Sequence, residues 1–429
     1  MAGSLRRNAV WQLLQTVCGT GTELLIVLVL AAALESAAFG RYVVALSLSK
    51  LVFLLFEGRL HEFLTPKLSR YLGRSAYGAW MWTRWSLRAE LLLNLAGFIA
   101  CCVVALAAPA VSSQFDMHLL LAAAAYNGAN TFLKFSSLAV LRCLGEIRVA
   151  AAVSIVAGAL KLSTLALALK ADWNVPTLLA VLSALALTAS LVQARVAILH
   201  LTRRAGAALH RKTRPLRPSN RKSQRALLAS NYATGLVEMM HRELDVQIAA
   251  WLAGPEVAGR YRLAKTLAMV MLEALNPVVL VLLPDLSRRL AGDTFDATAD
   301  FVRKISQGLT AIALVMAAAV ILSTMAYFRW IAPQQAQALI PSVILVGILT
   351  AISPWMWCQA LLVAAGRPQD YLRSSAVGAA LACASALVLA PIAGATGSVI
   401  AYGLGLVVTT SLALKAARSI LGSGTRGAP

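Results

Sequence analysis

Apolar runs of about twenty residues follow one another along most of this chain, separated by short polar stretches. LLIVLVLAAAL at 24–34 and AAVSIVAGALKLSTLALAL at 151–169 show the pattern: neither alternates strictly between apolar and polar positions. Continuous apolarity of this length excludes the two-residue period of a barrel strand and predicts helices that cross a bilayer. Peptide groups find no water in a hydrocarbon core, so helices, which close their hydrogen bonds internally, are what the pattern selects. At roughly 20 residues per crossing the chain divides into about twelve spans. They fall near 10–34, 40–63, 88–110, 116–141, 147–170, 174–199, 226–251, 257–283, 302–327, 338–363, 371–392 and 396–417. The expected fold class is an all-α polytopic membrane protein.

Short words recur within this frame. GRY stands at Gly40–Tyr42 and again at Gly259–Tyr261, and PKLSRYL at Pro66–Leu72 returns as PDLSRRL at Pro284–Leu290. LRCLGEIR at 141–148, after the fourth span, is weakly echoed by AAGRPQDYLR at 364–373, after the tenth. Landmarks in one order at a nearly constant offset indicate an internal duplication of a six-span unit. Six crossings return the chain to the side it left, so the copies have parallel topology. Such repeats are related by a pseudo-two-fold axis along the membrane normal, and their interface is the expected pathway. The lobes are placed at 1–200 and 226–420, joined by a basic linker at 201–225 and followed by a tail at 421–429. On this reading Gly40 and Gly259 supply sharp turns into helices, and Tyr42 and Tyr261 sit as amphipathic rings in the interface belt. Pro66 and Pro284 end the second and eighth spans. Trp80, Trp82 and Trp85, interleaved with Arg84 and Arg88, are expected in the headgroup plane.

Composition strengthens the membrane assignment. Of 429 residues, 59% are hydrophobic and 13% charged, with a mean hydropathy of +0.73. A soluble domain carries about 25% charged residues. The net charge of +21 would by itself invite a nucleic-acid reading, but its placement argues against one. Lys and Arg concentrate in the N-terminus, 64–87, 142–148, 200–225, 284–304, 364–373 and the C-terminal tail. That alternation is the positive-inside signature and puts both termini in the cytoplasm, with anionic lipid headgroups as partners and no nucleic acid. The basic N-terminus leads into an apolar run too long for a signal peptide, so it reads as a retained first span. Six cysteines, all within apolar runs, lack metal spacing and read as small buried hydrophobes.

Enzyme motifs are missing. GTGTEL at 19–24 lacks a third glycine and lies within a span, HRELD at 241–245 lacks a glutamate beside its first histidine, and no phosphate-binding lysine loop occurs. No metal site and no cofactor are expected, and the chain reads as a secondary transporter.

Ionisable residues inside spans are costly and mark pathways or partners. The seventh span, SNYATGLVEMMHRELDVQIAAW at 230–251, is densest: Glu238, His241, Arg242 and Asp245 share one helical face, and Glu243 falls off it. Lys50, Lys161, Arg242 and Lys265 are the basic cavity candidates for binding substrate. Glu23, Glu57, Glu238, Asp245 and Glu273 are the acidic candidates for coupling to a proton or cation. Arg59, His61 and Glu62 lie toward the cytoplasmic end, where snorkelling accounts for them, and Lys134 reaches toward the same interface. The mixed signs leave two arrangements open: lysines holding a diphosphate while a carboxylate takes a proton, or carboxylates holding a cation while lysines neutralise them.

The words AFGRY and VAGRY, each before a span that runs to P-x-L-S-R, resemble the polysaccharide-export flippases of the multidrug/oligosaccharidyl-lipid/polysaccharide (MOP) superfamily. ELDVQIAAWLAGPEVAGRY at 243–261 is similar to that family's aspartate before its second-half turn, with Asp245 in that place. The resemblance implies movement of undecaprenyl-diphosphate-linked oligosaccharide across the bacterial inner membrane by alternating access, for O-antigen, capsule or exopolysaccharide assembly. It implies a cationic cavity, coupling to an H+ or Na+ gradient, and a polysaccharide polymerase and glycosyltransferases as partners. This sequence departs from the family in lacking an acidic residue immediately before Phe39. The alternatives are a drug/cation antiporter of the same superfamily and a non-transporting scaffold of a synthase complex.

Overall fold

The computed structural model describes residues 2–57, 60–72, 75–111, 116–205, 232–233, 235–237, 243–292 and 295–423. Regular structure among them is entirely helical. The chain forms two compact units, Met1–Val29 with Ala45–Leu236 (unit 1) and Leu30–Val44 with Val237–Pro429 (unit 2). Neither unit is one unbroken stretch: the junction between the first two helices, residues 30–44, packs within unit 2.

The first two helices are α1 (Ala2–Ala33) and α2 (Ser36–Phe56). Unit 1 continues with α3 (Leu60–Leu72), α4 (Ala76–Val111), α5 (Met117–Thr131), α6 (Lys134–Leu144), α7 (Ile147–Lys170) and α8 (Val175–Ala205). Unit 2 contains α9 (Asp245–Ala253), α10 (Pro255–Gly292), α11 (Phe295–Ala326), α12 (Leu339–Ile352), α13 (Trp357–Ala364) and α14 (Pro368–Ser423). Seven helical stretches among the described residues are long and apolar enough to cross a membrane, and the last covers 54 residues. It is interrupted by non-helical backbone at Ala393 and Gly394, and its length is enough for two crossings. The fold is that of a multi-pass helical membrane protein, and about twelve spans fit it.

The fourth expected span is not one helix. It breaks at Phe132–Leu133, where Leu133 takes a left-handed conformation (φ 49°), and resumes as α6. The carboxylate of Glu90 on α4 accepts the backbone N–H groups of Phe135 (3.0 Å) and Ser136 (3.0 Å). Those are donors that a helix start leaves orphaned, and a negative charge there complements the helix dipole. Glu90 therefore makes the break tolerable in an apolar setting.

Pro66 and Pro284 do not end their spans. Pro66 lies inside α3 and Pro284 inside α10, while α2 ends ten residues earlier than Pro66, at Phe56. A proline forfeits one ladder bond, yet its fixed φ is helical. The leucines two positions to either side, Leu64 and Leu68 in one copy and Leu282 and Leu286 in the other, are all buried, so packing holds both helices through the defect.

The GRY words also act differently from the expectation. Gly40 and Gly259 have ordinary helical backbone and make no turn; they allow close approach within unit 2. A Cβ built on Gly40 would fall 2.1 Å from the carbonyl oxygen of Pro255, and one on Gly259 would fall 2.9 Å from the Cα of Gly40. Tyr42 and Tyr261 are 1% and 0% exposed, among the largest fully buried side chains, rather than rings in an interface belt. Replacing Gly40 by Ala is expected to cost about 1–3 kcal/mol through overpacking against backbone that cannot yield. Gly308→Ala, where nothing lies within 4 Å of the added carbon, is expected not to destabilise. Thermal unfolding of the two purified variants checks the contrast.

Candidate functional site

Each unit holds its own cluster of buried charge. In unit 1, Glu23 on α1 meets Lys161 on α7: Lys161 Nζ donates to Glu23 Oε1 (2.8 Å) and to Asn130 Oδ1 on α5 (2.8 Å). The Tyr126 hydroxyl on α5 donates to Glu23 Oε2 (2.5 Å), and Lys161 lies 5.1 Å from the Tyr126 ring centroid. The Lys161 side chain is 8% exposed, whereas that of Glu23 is 44% exposed. Glu23 is thus the accessible member of the pair. Lys134, the first residue of α6, interacts electrostatically with both Glu23 and Lys161. Lys134 follows the left-handed Leu133 at which the fourth expected span breaks.

In unit 2 the centre is Asp245, the first residue of α9. Its Oδ2 accepts Lys265 Nζ from α10 (2.5 Å) and the Tyr261 hydroxyl, and its Oδ1 accepts the Val246 N–H (2.8 Å). Lys265 Nζ also sits 4.1 Å from the ring centroid of Tyr402 on α14, a cation–π contact that adds to its stabilisation. A second pair lies beside the first: Arg262 donates to Glu243 Oε2 (3.0 Å), whose side chain is 1% exposed. Residues 243–244 form a π-helical turn before α9. Glu243 and Asp245, two positions apart, are both bonded to side chains of α10, Arg262 and Lys265. An ideal helix would point them in nearly opposite directions, which is why helical periodicity left Glu243 aside.

Lys161 and Lys265 belong to different units, and each is bonded to a carboxylate of its own unit. Lys50 is an exposed residue of α2. Glu57 follows the last turn of α2, its N–H bonded to the Leu54 carbonyl (3.2 Å). Glu273 is half-buried on α10. Glu238, His241 and Arg242 lie outside the described residues. Sequence reasoning did not single out Glu90, Tyr126, Asn130 or Tyr402, which are ordinary residues of apolar helices until the fold brings them to a charge. Among the described residues no group of three or more His, Cys, Asp or Glu side chains converges as a metal site would require.

No family model and no curated protein matches this chain in sequence. Solved structures do match it in fold. An inward-facing multidrug resistance MATE family transporter of the MOP superfamily superposes with a TM-score of 0.78 at 12% identity, over 98% of this chain and 96% of that one. A MOP-superfamily transporter from Pyrococcus furiosus, described as having a binding pocket of reversed polarity, gives 0.66 at 12% identity over 99% and 96%. A variant of the Vibrio cholerae MATE transporter VcmN gives 0.61 at 17% identity over 98% and 97%. The chain has the fold of these MOP-superfamily transporters.

Because both side chains of the Asp245–Lys265 pair are 4% exposed, neither can turn to water when the other is removed. Asp245→Asn is expected to lower stability by about 3–5 kcal/mol. Adding Lys265→Met to Asp245→Asn is expected to restore most of that loss, since the stranded charge goes with it. Thermal unfolding of the single and double variants in detergent is the measurement.

Proposed function

We propose that this chain is a secondary transporter of the bacterial inner membrane, with both termini cytoplasmic, that moves an anionic lipid-linked oligosaccharide. It does so by exposing a cationic site alternately to the two sides. The observation that carries this reading is the charge balance in unit 1. One carboxylate, Glu23, faces two ammonium groups, Lys161 and Lys134. Glu23 and Asn130 occupy Lys161, while Lys134 has no hydrogen-bonded carboxylate among the described residues. A diphosphate is the ligand that satisfies such an excess of donors, through short charge-assisted hydrogen bonds. The repeated GRY and P-x-L-S-R words support the same branch of transporters.

Glu23 provides the coupling element. A proton or Na+ arriving at this accessible carboxylate competes with Lys161 for it and frees the ammonium group for substrate. Ion and substrate then bias one equilibrium, which is what coupling requires. Glycosyltransferases would supply the substrate and a polymerase would consume it.

A second reading, export of an organic cation, is favoured by the fold neighbours described as multidrug transporters. The neighbour described as having a pocket of reversed polarity supports a fold whose site can take either sign. The scaffold reading gives no reason for charges at the centre of the helices and is set aside.

Binding of undecaprenyl diphosphate and of neutral undecaprenol to the purified protein, followed by native mass spectrometry, separates these readings. Lys134→Ala is expected to weaken diphosphate binding about tenfold or more, the contribution of one charge-assisted contact. Undecaprenol binding is expected to stay as it was. Equal affinity of both lipids for the wild-type protein would overturn the anionic reading. Raised sensitivity to cationic dyes in a deletion strain, without build-up of lipid-linked repeat units, would establish the cation reading in its place.

A further inference from the structure

Helix α4 has 36 residues, about 54 Å at the usual helical rise, and so outreaches a hydrocarbon core of about 30 Å. Leu92, Leu95, Ile99, Val103 and Leu106 follow one another along it in steps of three or four, on one face. Each is between 53% and 66% exposed, so this face of α4 is turned outward to the acyl chains. In the same steps toward the N-terminus the face continues as Arg88 and then Arg84, both exposed. The two arginines stand where the apolar stripe ends.

Beside them lies an ordered aromatic group. Of the three tryptophans expected in the headgroup plane, Trp80 and Trp82 pack on the core of unit 1, and Trp85 is exposed. Its ring is held 5.8 Å from that of Trp82 and 5.9 Å from that of Phe63. Lys67 Nζ from α3 lies 5.4 Å from the Trp82 ring centroid and adds positive charge to the same place.

Among the described residues neither Arg84 nor Arg88 has a hydrogen-bonded or ion-paired protein partner. Glu90, the carboxylate that α4 itself carries, is taken by the amides of α6. Side chains four apart on a helix have Cβ atoms about 6 Å apart, so two guanidinium groups can share one phosphate. Each can meet its oxygens with a fork of two donors, which an ammonium group cannot do. An amphipathic ring at the same level suits the glycerol region of a lipid.

We infer that this face of α4 binds an anionic phospholipid. Its headgroup phosphate is shared by Arg84 and Arg88, its glycerol lies against Trp85, and one acyl chain follows the stripe from Leu92 to Leu106. Basic loops in general attract such lipids without fixing their place. Here charge, ring and stripe are aligned on one helix, and that alignment defines a site. It shares no residue with Glu23, Lys161 and Lys134, so it is independent of the transported substrate.

The test is native mass spectrometry of the full-length protein in detergent, with dioleoyl phosphatidylglycerol and dioleoyl phosphatidylethanolamine as probes. The chains are the same, and the ammonium of the second lipid cancels its phosphate charge. Tighter binding of phosphatidylglycerol is expected, with Arg84→Ala and Arg88→Ala each weakening it about tenfold, the scale of one charge-assisted contact. Arg203→Ala combined with Lys415→Ala removes two exposed basic groups of other helices and is expected to leave the affinity as it was. Lys134→Ala is expected to do the same, so failure of the anionic substrate reading and failure of this inference are distinguishable. Equal affinity for the two lipids, indifference to both arginine variants, or an equal loss in the Arg203 and Lys415 variant would each overturn the inference. Displacement of the lipid by glycerol 3-phosphate at equal concentration would also overturn it, showing a site for phosphate alone.

Discussion

A charge held among apolar helices has no solvent to fall back on, so its partners must come from the protein. Much of what is irregular in these helices answers that requirement. The break at Leu133 exposes the start of α6, and Glu90 from α4 fills it. Where a π-helical turn at 243–244 leads into α9, Glu243 and Asp245 are met from α10 by Arg262, Lys265 and Tyr261. At both of these places an ionised group meets its partner where the helix departs from regularity.

The two units meet the requirement in different ways. In unit 2 the described pairs are balanced: Asp245 with Lys265, Glu243 with Arg262, all drawn close by hydrogen bonds. Such a cluster fixes the packing of α9 against α10 and has little charge left for a ligand. In unit 1, among the described residues, Glu23 is met by Lys161 and interacts with Lys134 as well. Imbalance in a low-dielectric setting is costly unless a ligand removes it, and that points to function rather than to structure alone.

The recurring words illustrate how a pattern can be visible while its mechanism is not. GRY and P-x-L-S-R recur in the two halves of the sequence, yet both GRY words lie in unit 2. Their glycines, however, serve contact: Gly40 lies against the Pro255 carbonyl and Gly259 against Gly40. Their tyrosines are core residues, and Tyr261 donates to the aspartate at the centre of unit 2. Nothing in a tripeptide distinguishes a glycine that turns from one that permits approach, because the difference lies in a neighbour more than two hundred residues away.

The amino-acid sequence by itself determined the medium and the class: runs of apolar residues at bilayer length can only be spanning helices, and their order sets the number of crossings. It also picked out Glu23, Lys161, Asp245 and Lys265, since a charge inside such a run stands out without any coordinates. Tertiary structure alone decided the pairing, because Glu23 and Lys161 are joined only when α1 packs beside α7, and Asp245 and Lys265 only when α9 packs beside α10. It alone showed that the fourth expected span breaks at a left-handed residue, Leu133, which a periodic pattern does not encode. Hydropathy is a property of single residues summed along the chain. Charge balance is a property of which residues meet, and that is settled only by the fold.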